Sequence, residues 1–185
     1  MGRGGLRPVV IASAAASARP RPEGPLHMRI VERPGFTVAG VSVATSREAQ
    51  AEDAGRAAAR FFAPDFARRI AGLIDPQVTY ALHADWSETD RTYVFWLAYE
   101  VEPAARQPDG IDVLHVPAAA YTVFEAVGPQ PDASIEAWKR IEAWRHGPAV
   151  RRTGGPSFEV HDPRRSQPVP VAEIYIPAVT GGHGA

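Results

Sequence analysis

The feature of this sequence that most constrains its fold is an order of predicted elements that occurs twice. From residue 28 the chain reads as strand, helix, strand, strand, with a Pro34-Gly35 turn splitting the first β-rich segment. From about residue 110 the same order returns in a shorter form, which makes a pseudo-repeat of roughly 75 residues. The motif YALHAD at 80–85 also matches FEVHD at 158–162. The sequence therefore predicts an α+β fold of two β-α-β-β halves around a pseudo-twofold axis.

Each half contains one predicted amphipathic helix. In the first half an Ala-rich run extends to Phe62, and Thr45 with Glu48 has the spacing of a capping box. In the second half the segment SIEAWKRIEAWRHG places Ser134 as N-cap. Its apolar stripe consists of Ile135, Trp138 and Ile141. A helix with one apolar stripe packs on one face of a sheet, so the other face is left for a different contact.

The last predicted strand, VAEIYIP at 171–177, carries an acid in its middle. Ile174 and Ile176 alternate with Glu173 and Tyr175, and the isoleucines suit the face that the helix covers. Glu173 and Tyr175 are therefore expected on the face that the helix leaves free.

Superposing the two halves predicts what accompanies Glu173. When Tyr99 is set over Tyr175, Leu97 corresponds to Glu173, and Trp96 falls on the helix side unless the register shifts by one residue. The first half would then contribute four residues to the face of the acid: Tyr93, Phe95, Leu97 and Tyr99. Two such faces in contact would enclose an aromatic cleft with one carboxylate.

Two ordinary interpretations of Glu173 remain open beside the functional one. The acid is then a solvated carboxylate on an open strand, or it pairs with a nearby arginine for structural reasons. In the functional interpretation a buried, unpaired carboxylate is costly, and a cationic ligand would stabilise its ionised form. The aromatic side chains would stack on a flat ligand and add cation–π attraction.

The charge and composition of the chain limit the classes of partner that we expect it to bind. The formal net charge is −1, so no global field favours nucleic acid or an anionic membrane, and the absence of cysteine excludes thiolate chemistry. His83 with Asp85 and His161 with Asp162 recur at equivalent places in the halves. Their spacing matches no metal-ligand motif, and the repeat itself explains the recurrence. We expect no metal and no cofactor.

The boundaries follow from composition as well. Residues 1–27, rich in Ala, Arg, Pro and Gly, are expected to be a disordered arm or an extension upstream of a natural start at residue 28; a signal peptide is the weaker alternative. The domain is expected to span 28–179, with halves at about 28–103 and 110–179, and 180–185 as a loose tail.

Six segments in this order resemble the GyrI-like small-molecule-binding family, the effector-binding domain of AraC-type and MerR-type regulators. They are VERPGFTVAGVS, YVFWLAYEVE, VPAAAYTVFEAVGP, AWKRIEAW, GPSFEVHD and VAEIYIP, and together they cover about residues 28 to 178. The resemblance implies two SH2-like β-α-β-β units with a ligand groove between them.

The resemblance also implies a function. Members bind lipophilic, often cationic aromatic compounds with stacked aromatics and a buried glutamate, whose position corresponds best to Glu173. The ligand-binding set implied here is Glu173, Tyr175, Tyr93, Phe95, Leu97 and Tyr99. The regulators carry a helix-turn-helix region before this domain, whereas residues 1–27 are too short and too rich in Pro and Gly for one, so no direct DNA binding is expected.

Three hypotheses follow. In the first, the chain is a stand-alone cytoplasmic module, not bound to a membrane, which captures a hydrophobic or cationic small molecule and reports to an unknown protein partner or sequesters the compound. In the second, it resembles the family's hydrolases of cyclopropane-type electrophiles. Glu173 would then activate water while Tyr99 or Tyr175 hydrogen-bonds the substrate carbonyl. In the third and weakest, it modulates a topoisomerase through protein contact.

Overall fold

The computed structural model describes residues 28–87, 89–144, 155–165, 169 and 171–178, so the expectations for residues 1–27 and for the tail 180–185 lie outside the described part. Eight strands lie in this part of the chain: β1 Met28–Arg33, β2 Phe36–Ser46, β3 Thr79–Ser87, β4 Thr92–Val101, β5 Asp112–Val116, β6 Ala119–Val127, β7 Ser157–His161 and β8 Val171–Pro177. They are accompanied by helices α1 Gln50–Phe61, α2 Phe66–Arg69 and α3 Asp132–Trp144, and by a 3-10 helix, Pro163–Arg165.

The strands form one antiparallel sheet in the order β1-β6-β8-β7-β3-β4-β2-β5. Exchanging β1 with β5, β2 with β6, β3 with β7 and β4 with β8 turns this order into its reverse. The pseudo-twofold axis therefore passes between β3 and β7, where Ala81 pairs with Glu159. The predicted α+β architecture of two β-α-β-β halves is confirmed. Each half has in addition a leading strand, β1 or β5, that pairs with the opposite half.

The sheet is strongly curled, because its connections leave no other arrangement. Pro34 and Gly35 alone join β1, at one edge, to β2, six strand positions away. Neighbouring strands are about 4.8 Å apart, so a flat sheet would separate these two by about 29 Å, whereas a two-residue link spans about 11 Å. The ring centroids of Phe36 on β2 and Phe158 on β7 lie only 5.3 Å apart although two strands intervene.

The curled sheet has an outer face, which carries the helices. α1 buries Ala57 and Phe61 against β2 and β4, and α3 buries Ala137 and Ile141 against β6 and β8. Full burial of a side chain as large as Phe61 or Ile141 stabilises the fold by about 1.5–3 kcal/mol. Ile135, expected on the apolar stripe of α3, is instead 48% exposed. No helix in the described part is long and apolar enough to cross a membrane.

The inner face encloses a core of its own, which no helix covers. Its fully buried members come from both halves, and the largest are Tyr121, Phe158 and Leu82. Phe36, Tyr80, Trp96 and Tyr175 complete its aromatic part. The interior of the curl is therefore filled with packed side chains.

The two predicted cap residues serve another purpose. α1 begins after Ala49, which makes no side-chain cap, while Thr45 lies in β2 and its hydroxyl donates to buried Asp53 at 2.6 Å. Ser134 lies inside α3 and donates to the carboxylate of Glu159 at 2.7 Å. Both capping predictions are wrong, because each hydroxyl satisfies a buried carboxylate instead of a helix end.

The register of the two halves also differs from the expected one. Tyr80 pairs with Ala98 in the first half, and Phe158 pairs with Tyr175 in the second. Tyr80 and Phe158 are equivalent in the motifs YALHAD and FEVHD, so Tyr175 overlies Ala98 and not Tyr99. The predicted superposition is wrong by one residue. A shift of one residue moves every side chain of β4 to the opposite face.

Candidate functional site

Glu173 lies on the inner side of β8, on the face away from α3, as its alternation with Ile174 and Ile176 predicts. It is 5% exposed. The hydroxyl of Tyr175 donates to its carboxylate at 2.9 Å. The guanidinium groups of Arg29 and Arg165 both form ion pairs with it.

The charge of Glu173 is thus already compensated within the chain. Burial alone would raise the pKa of its carboxyl, but the hydrogen bonds from Arg29 and Tyr175 and the charge of Arg165 outweigh burial and hold that pKa below its usual range. A carboxylate paired with two guanidinium groups attracts a further cation weakly. The geometry agrees with the ordinary interpretation of Glu173, an acid paired with arginine.

The four residues of β4 expected beside Glu173 lie on the other face of the sheet. They are Tyr93, Phe95, Leu97 and Tyr99, and all belong to the cluster under α1 and α2. Tyr99 stacks on Phe61 of α1, with ring centroids 4.7 Å apart. The expected grouping of these four with Glu173 and Tyr175 is wrong. For the hydrolase hypothesis, Tyr175 contacts Glu173 but Tyr99 does not share its face.

Trp96 lies on the inner face of β4, as a register shift of one residue requires. Its position overlies that of Glu173, since Leu82 pairs with Trp96 where Val160 pairs with Glu173. Trp96 is 7% exposed, and its Nε1 has no hydrogen-bond partner within the described residues.

A second buried acid, Glu159, lies at the centre of the outer face. It stands on β7 opposite Ala81 of β3, on the pseudo-twofold axis. β3 and β7 are the strands between α1 and α3, so Glu159 occupies the floor between the two helices. It is 8% exposed.

Three side chains donate to the Glu159 carboxylate. The Ser134 hydroxyl lies 2.7 Å from Oε2, and the Trp138 indole Nε1 lies 2.6 Å from Oε1. His161 places its Nε2 3.0 Å from Oε2. Two turns of α3 are therefore anchored to the sheet through one carboxylate.

These donors determine the ionisation of Glu159. Burial alone would raise its pKa, but the hydrogen bond and charge of His161, with the hydrogen bonds from Ser134 and Trp138, hold the pKa below its usual range. Within the described residues, His161 is its only recorded ion-pair partner. In contrast to Glu173, which pairs with two guanidinium groups, this carboxylate accepts from two neutral donors and one imidazole.

Aromatic rings surround the floor at Glu159. The imidazole of His83 on β3 lies 5.2 Å from the ring of Trp138, edge to face, and 5.3 and 5.7 Å from the rings of Tyr93 and Phe95. Trp86, 38% exposed, stacks on Tyr93 with ring centroids 5.0 Å apart. Burial raises the pKa of Tyr93 to about 12, so its phenol is neutral at physiological pH.

The two helices close the sides of this region. Gln50, at the start of α1, lies 3.5 Å from His83 through its amide nitrogen. Arg47, just before α1, and Glu142, on α3, form an ion pair of 3.4 Å between the two sides. We call the region between α1 and α3, floored by β3, β4 and β7, the interhelical groove.

Sequence reasoning missed Glu159 although the motifs that contain it were recognised. In the overlay of YALHAD on FEVHD, Glu159 faces Ala81, so the acid stands where the other half has a methyl group. An acid that breaks a repeat in the middle of a central strand is the signal that identifies it. Of the expected ligand residues, Tyr93 and Phe95 do border the groove.

Comparison with known proteins places this geometry among effector-binding proteins. The family model of Cass2, the integron-associated effector binding protein, matches residues 29–178. The transcriptional regulator BrlR of Pseudomonas aeruginosa is 32% identical over 158 residues. That match covers 82% of this chain and 55% of BrlR, so the chain spans about half the length of this curated relative.

Two solved structures share the fold. SAV2435, solved bound to tetraphenylphosphonium, superposes with a TM-score of 0.66 at 19% identity, over 83% of this chain and 94% of SAV2435. The integron cassette protein Cass2 from the mobile metagenome of Vibrio cholerae superposes with a TM-score of 0.62 at 22% identity, over 82% of this chain and 95% of its own.

Proposed function

The chain belongs to the family of integron-associated effector binding proteins, and from this premise we propose that it captures a lipophilic aromatic cation in the interhelical groove, with Glu159 as its anionic anchor. The observation that carries the proposal is the state of Glu159. It is a buried, ionised carboxylate held by Ser134, Trp138 and His161, in a groove bordered by aromatic rings.

The chemistry of such a groove suits a flat or bulky cation. Rings such as Trp138 and the 38% exposed Trp86 offer area for stacking and cation–π attraction, each of about 0.5–2 kcal/mol. The carboxylate beneath them supplies charge in a region of low dielectric, where the attraction is stronger than in water. At Glu159 a cation would compete with a single imidazole, His161, whereas at Glu173 it would compete with two permanently charged guanidinium groups, Arg29 and Arg165.

A relative supports the ligand class. SAV2435 was solved with tetraphenylphosphonium, a permanently charged aromatic cation. We propose the same class for this chain and use the same compound as a probe.

The two buried acids allow a matched test. We expect isothermal titration calorimetry to detect tetraphenylphosphonium binding to the parent protein, and the Glu159→Gln variant to bind at least about tenfold more weakly, because the amide loses the charge. Glu173→Gln, the control, should change the affinity by less than about threefold, since its carboxylate lies on the inner face.

The isosteric change keeps an oxygen that accepts from Ser134 or Trp138, and thermal melts of both variants show whether they fold. The opposite ranking, with Glu173→Gln losing affinity and Glu159→Gln keeping it, would place the ligand on the inner face. Equal affinity in all three proteins would remove the anionic anchor from the proposal.

A further inference from the structure

His161 is the one charged or chargeable side chain in the described residues that forms an ion pair with Glu159. Its Nε2 lies 3.0 Å from Oε2, and its side chain is 31% exposed at the rim of the groove. Ser134 and Trp138 also donate to the carboxylate, but neither brings a charge. The counter-charge of the buried anion is therefore supplied by an imidazole, a group that changes charge between about pH 5 and 8.

We propose that His161 is the exchangeable counter-cation of Glu159 and a specificity-determining residue of the groove, so that binding of a lipophilic monocation releases one proton from its imidazole. This inference rests on the proposed function, because it concerns the same carboxylate. The balance is one monocation bound for one proton lost to solvent, while the charge of Glu159 stays the same.

Charge neutrality is the reason for the exchange. If a monocation settled beside Glu159 while His161 remained an imidazolium, two positive charges would face one buried negative charge. The resulting net charge is costly for a ligand held inside the groove, unlike at Glu173, whose two arginines are 44% and 53% exposed and where Arg29 also pairs with Glu125. Loss of the imidazole proton restores neutrality, and neutral His161 still accepts or donates a hydrogen bond.

The other groups around His161 do not replace it. Its neighbours across the sheet are Thr79 on β3 and Ala172 on β8, neither of which ionises. Next along the chain, Asp162 accepts from Arg164 and has its pKa lowered by that contact. Among the described residues, the other ionisable groups whose contacts place them at the groove include His83 of β3, Arg47 paired with Glu142, and Asp53 of α1 paired with Arg56.

The exchange has a measurable consequence for affinity. As long as His161 is protonated in the free protein, the affinity for a permanent monocation should rise about tenfold for each unit of pH, and it should level off once the imidazole is neutral. The direction follows because the free protein binds more protons than the complex. A ligand that carries its charge at all pH values would therefore bind most tightly above neutral pH.

The test uses tetraphenylphosphonium as the probe, because its own charge does not titrate. Binding is measured by isothermal titration calorimetry between about pH 5 and 8, in two buffers of different ionisation enthalpy, so that the proton count is obtained directly. We expect up to one proton released by the parent protein. His161→Gln keeps an N–H donor for Glu159 but carries no charge, and it should bind with little pH dependence and release no proton.

His83→Gln is the matched control, since His83 also faces the groove and should not account for the proton. Proton release that disappears in His83→Gln but persists in His161→Gln would overturn the assignment. If the parent protein binds with an affinity that does not depend on pH, while Glu159→Gln still binds more weakly, the proton exchange is wrong and the proposed function stands. If tetraphenylphosphonium does not bind through Glu159 at all, the proposed function fails first.

Discussion

Glu159 and Glu173 show how the partners of a buried acid decide what it is able to do. Both are almost inaccessible and both are ionised, with a lowered pKa. Glu173 is paired with two arginines and so links β1, β8 and the 3-10 helix. Glu159 relies on hydroxyl, indole and imidazole donors, which makes its negative charge the more available to a ligand.

Removal of one neutral donor tests the ionised state of Glu159. We expect Ser134→Ala to lower the free energy of unfolding by about 1–3 kcal/mol at neutral pH, because a buried carboxylate loses a charge-assisted hydrogen bond. The pKa of Glu159 is lowered in the folded protein. Its contribution to stability is therefore present above the carboxyl pKa of the unfolded chain and is lost as pH falls through the folded value.

The measurement is urea unfolding of the parent and Ser134→Ala proteins at neutral and acid pH. The difference between them should shrink as the solution becomes acid, since protonation removes the charge that the hydroxyl stabilises. Thr92→Ala, which removes an exposed hydroxyl with no recorded contact to a carboxylate among the described residues, is the control and should show no such trend. A difference that is constant with pH would mean that Ser134 does not stabilise an ionised Glu159.

At this scale the sequence predicts which faces Glu173 and Tyr175 occupy, because strict alternation in one strand is a local property. It does not predict which residues lie across from them, because the superposition of two strands depends on register. An error of one residue in the predicted register assigned every side chain of β4 to the wrong face. Tyr93, Phe95, Leu97 and Tyr99 lie on the outer face and Trp96 on the inner one, the reverse of the prediction. Matching Tyr99 to Tyr175 by residue type misleads, because the residue of β4 that overlies Tyr175 is Ala98.

Arg33, the last residue of β1, joins the two halves from inside the curl. Its guanidinium carbon lies 4.2 Å from the ring centroid of Phe36, and 5.3 to 5.6 Å from three further rings. Those rings belong to Tyr80, Phe158 and Tyr175, so both halves contribute to the cage. The guanidinium also donates to Glu100 and to the Tyr80 hydroxyl.

We expect Arg33→Met to destabilise the fold by about 2 kcal/mol, through loss of cation–π attraction and of a charge partner for the half-buried Glu100. Arg33→Lys should have an intermediate effect, because an ammonium keeps the charge but lacks the planar guanidinium that lies against the aromatic rings. Thermal or urea unfolding measures both changes.

Glu100→Gln separates the two contributions, since it removes the ion pair and keeps the rings. If Glu100→Gln is as destabilising as Arg33→Met, the cage contributes nothing and the ion pair accounts for the effect. Because Arg33 lies on the inner face, binding of tetraphenylphosphonium to Arg33→Met should match that of the parent protein wherever the variant is folded.

The order and type of elements follow from hydrophobic period and turn residues, and the prediction of two β-α-β-β halves is confirmed. The exchange of the leading strands β1 and β5 between halves is not encoded in a local pattern. A strand such as MRIVER shows which residues alternate but not which edge it joins. The helix starts differ from prediction for a similar reason, because a serine or threonine that suits a cap suits a buried carboxylate equally well.

At the scale of the whole molecule, one curled sheet separates two environments. The inside is a packed core shared by both halves, and the outside carries the two helices with the central strands β3 and β7 between them. A pseudo-twofold axis through the groove makes its two sides equivalent in backbone but not in side chain. The symmetry is broken at the pair Ala81 and Glu159, where one half has a methyl group and the other has a carboxylate.

The five tyrosines are divided between these two environments. Tyr80, Tyr121 and Tyr175 belong to the inner core, whereas Tyr93 and Tyr99 belong to the outer cluster. Burial raises the pKa of every one of them above the ordinary phenol value, to about 12 for Tyr93. A phenol with a raised pKa contributes stability that is fully present below the unfolded value of about 10 and is lost as pH rises through the folded value.

We therefore expect an alkaline titration, followed by phenolate absorbance in the ultraviolet, to show little ionisation near pH 10 in the folded protein. The phenols should then ionise together as the fold is lost at higher pH, because the two clusters share one sheet. In concentrated urea the same groups should titrate near the ordinary value. Circular dichroism measured on the same samples follows the fold. A substantial phenolate signal near pH 10 with the circular dichroism unchanged would show that solvent reaches one of the two cores in the native state.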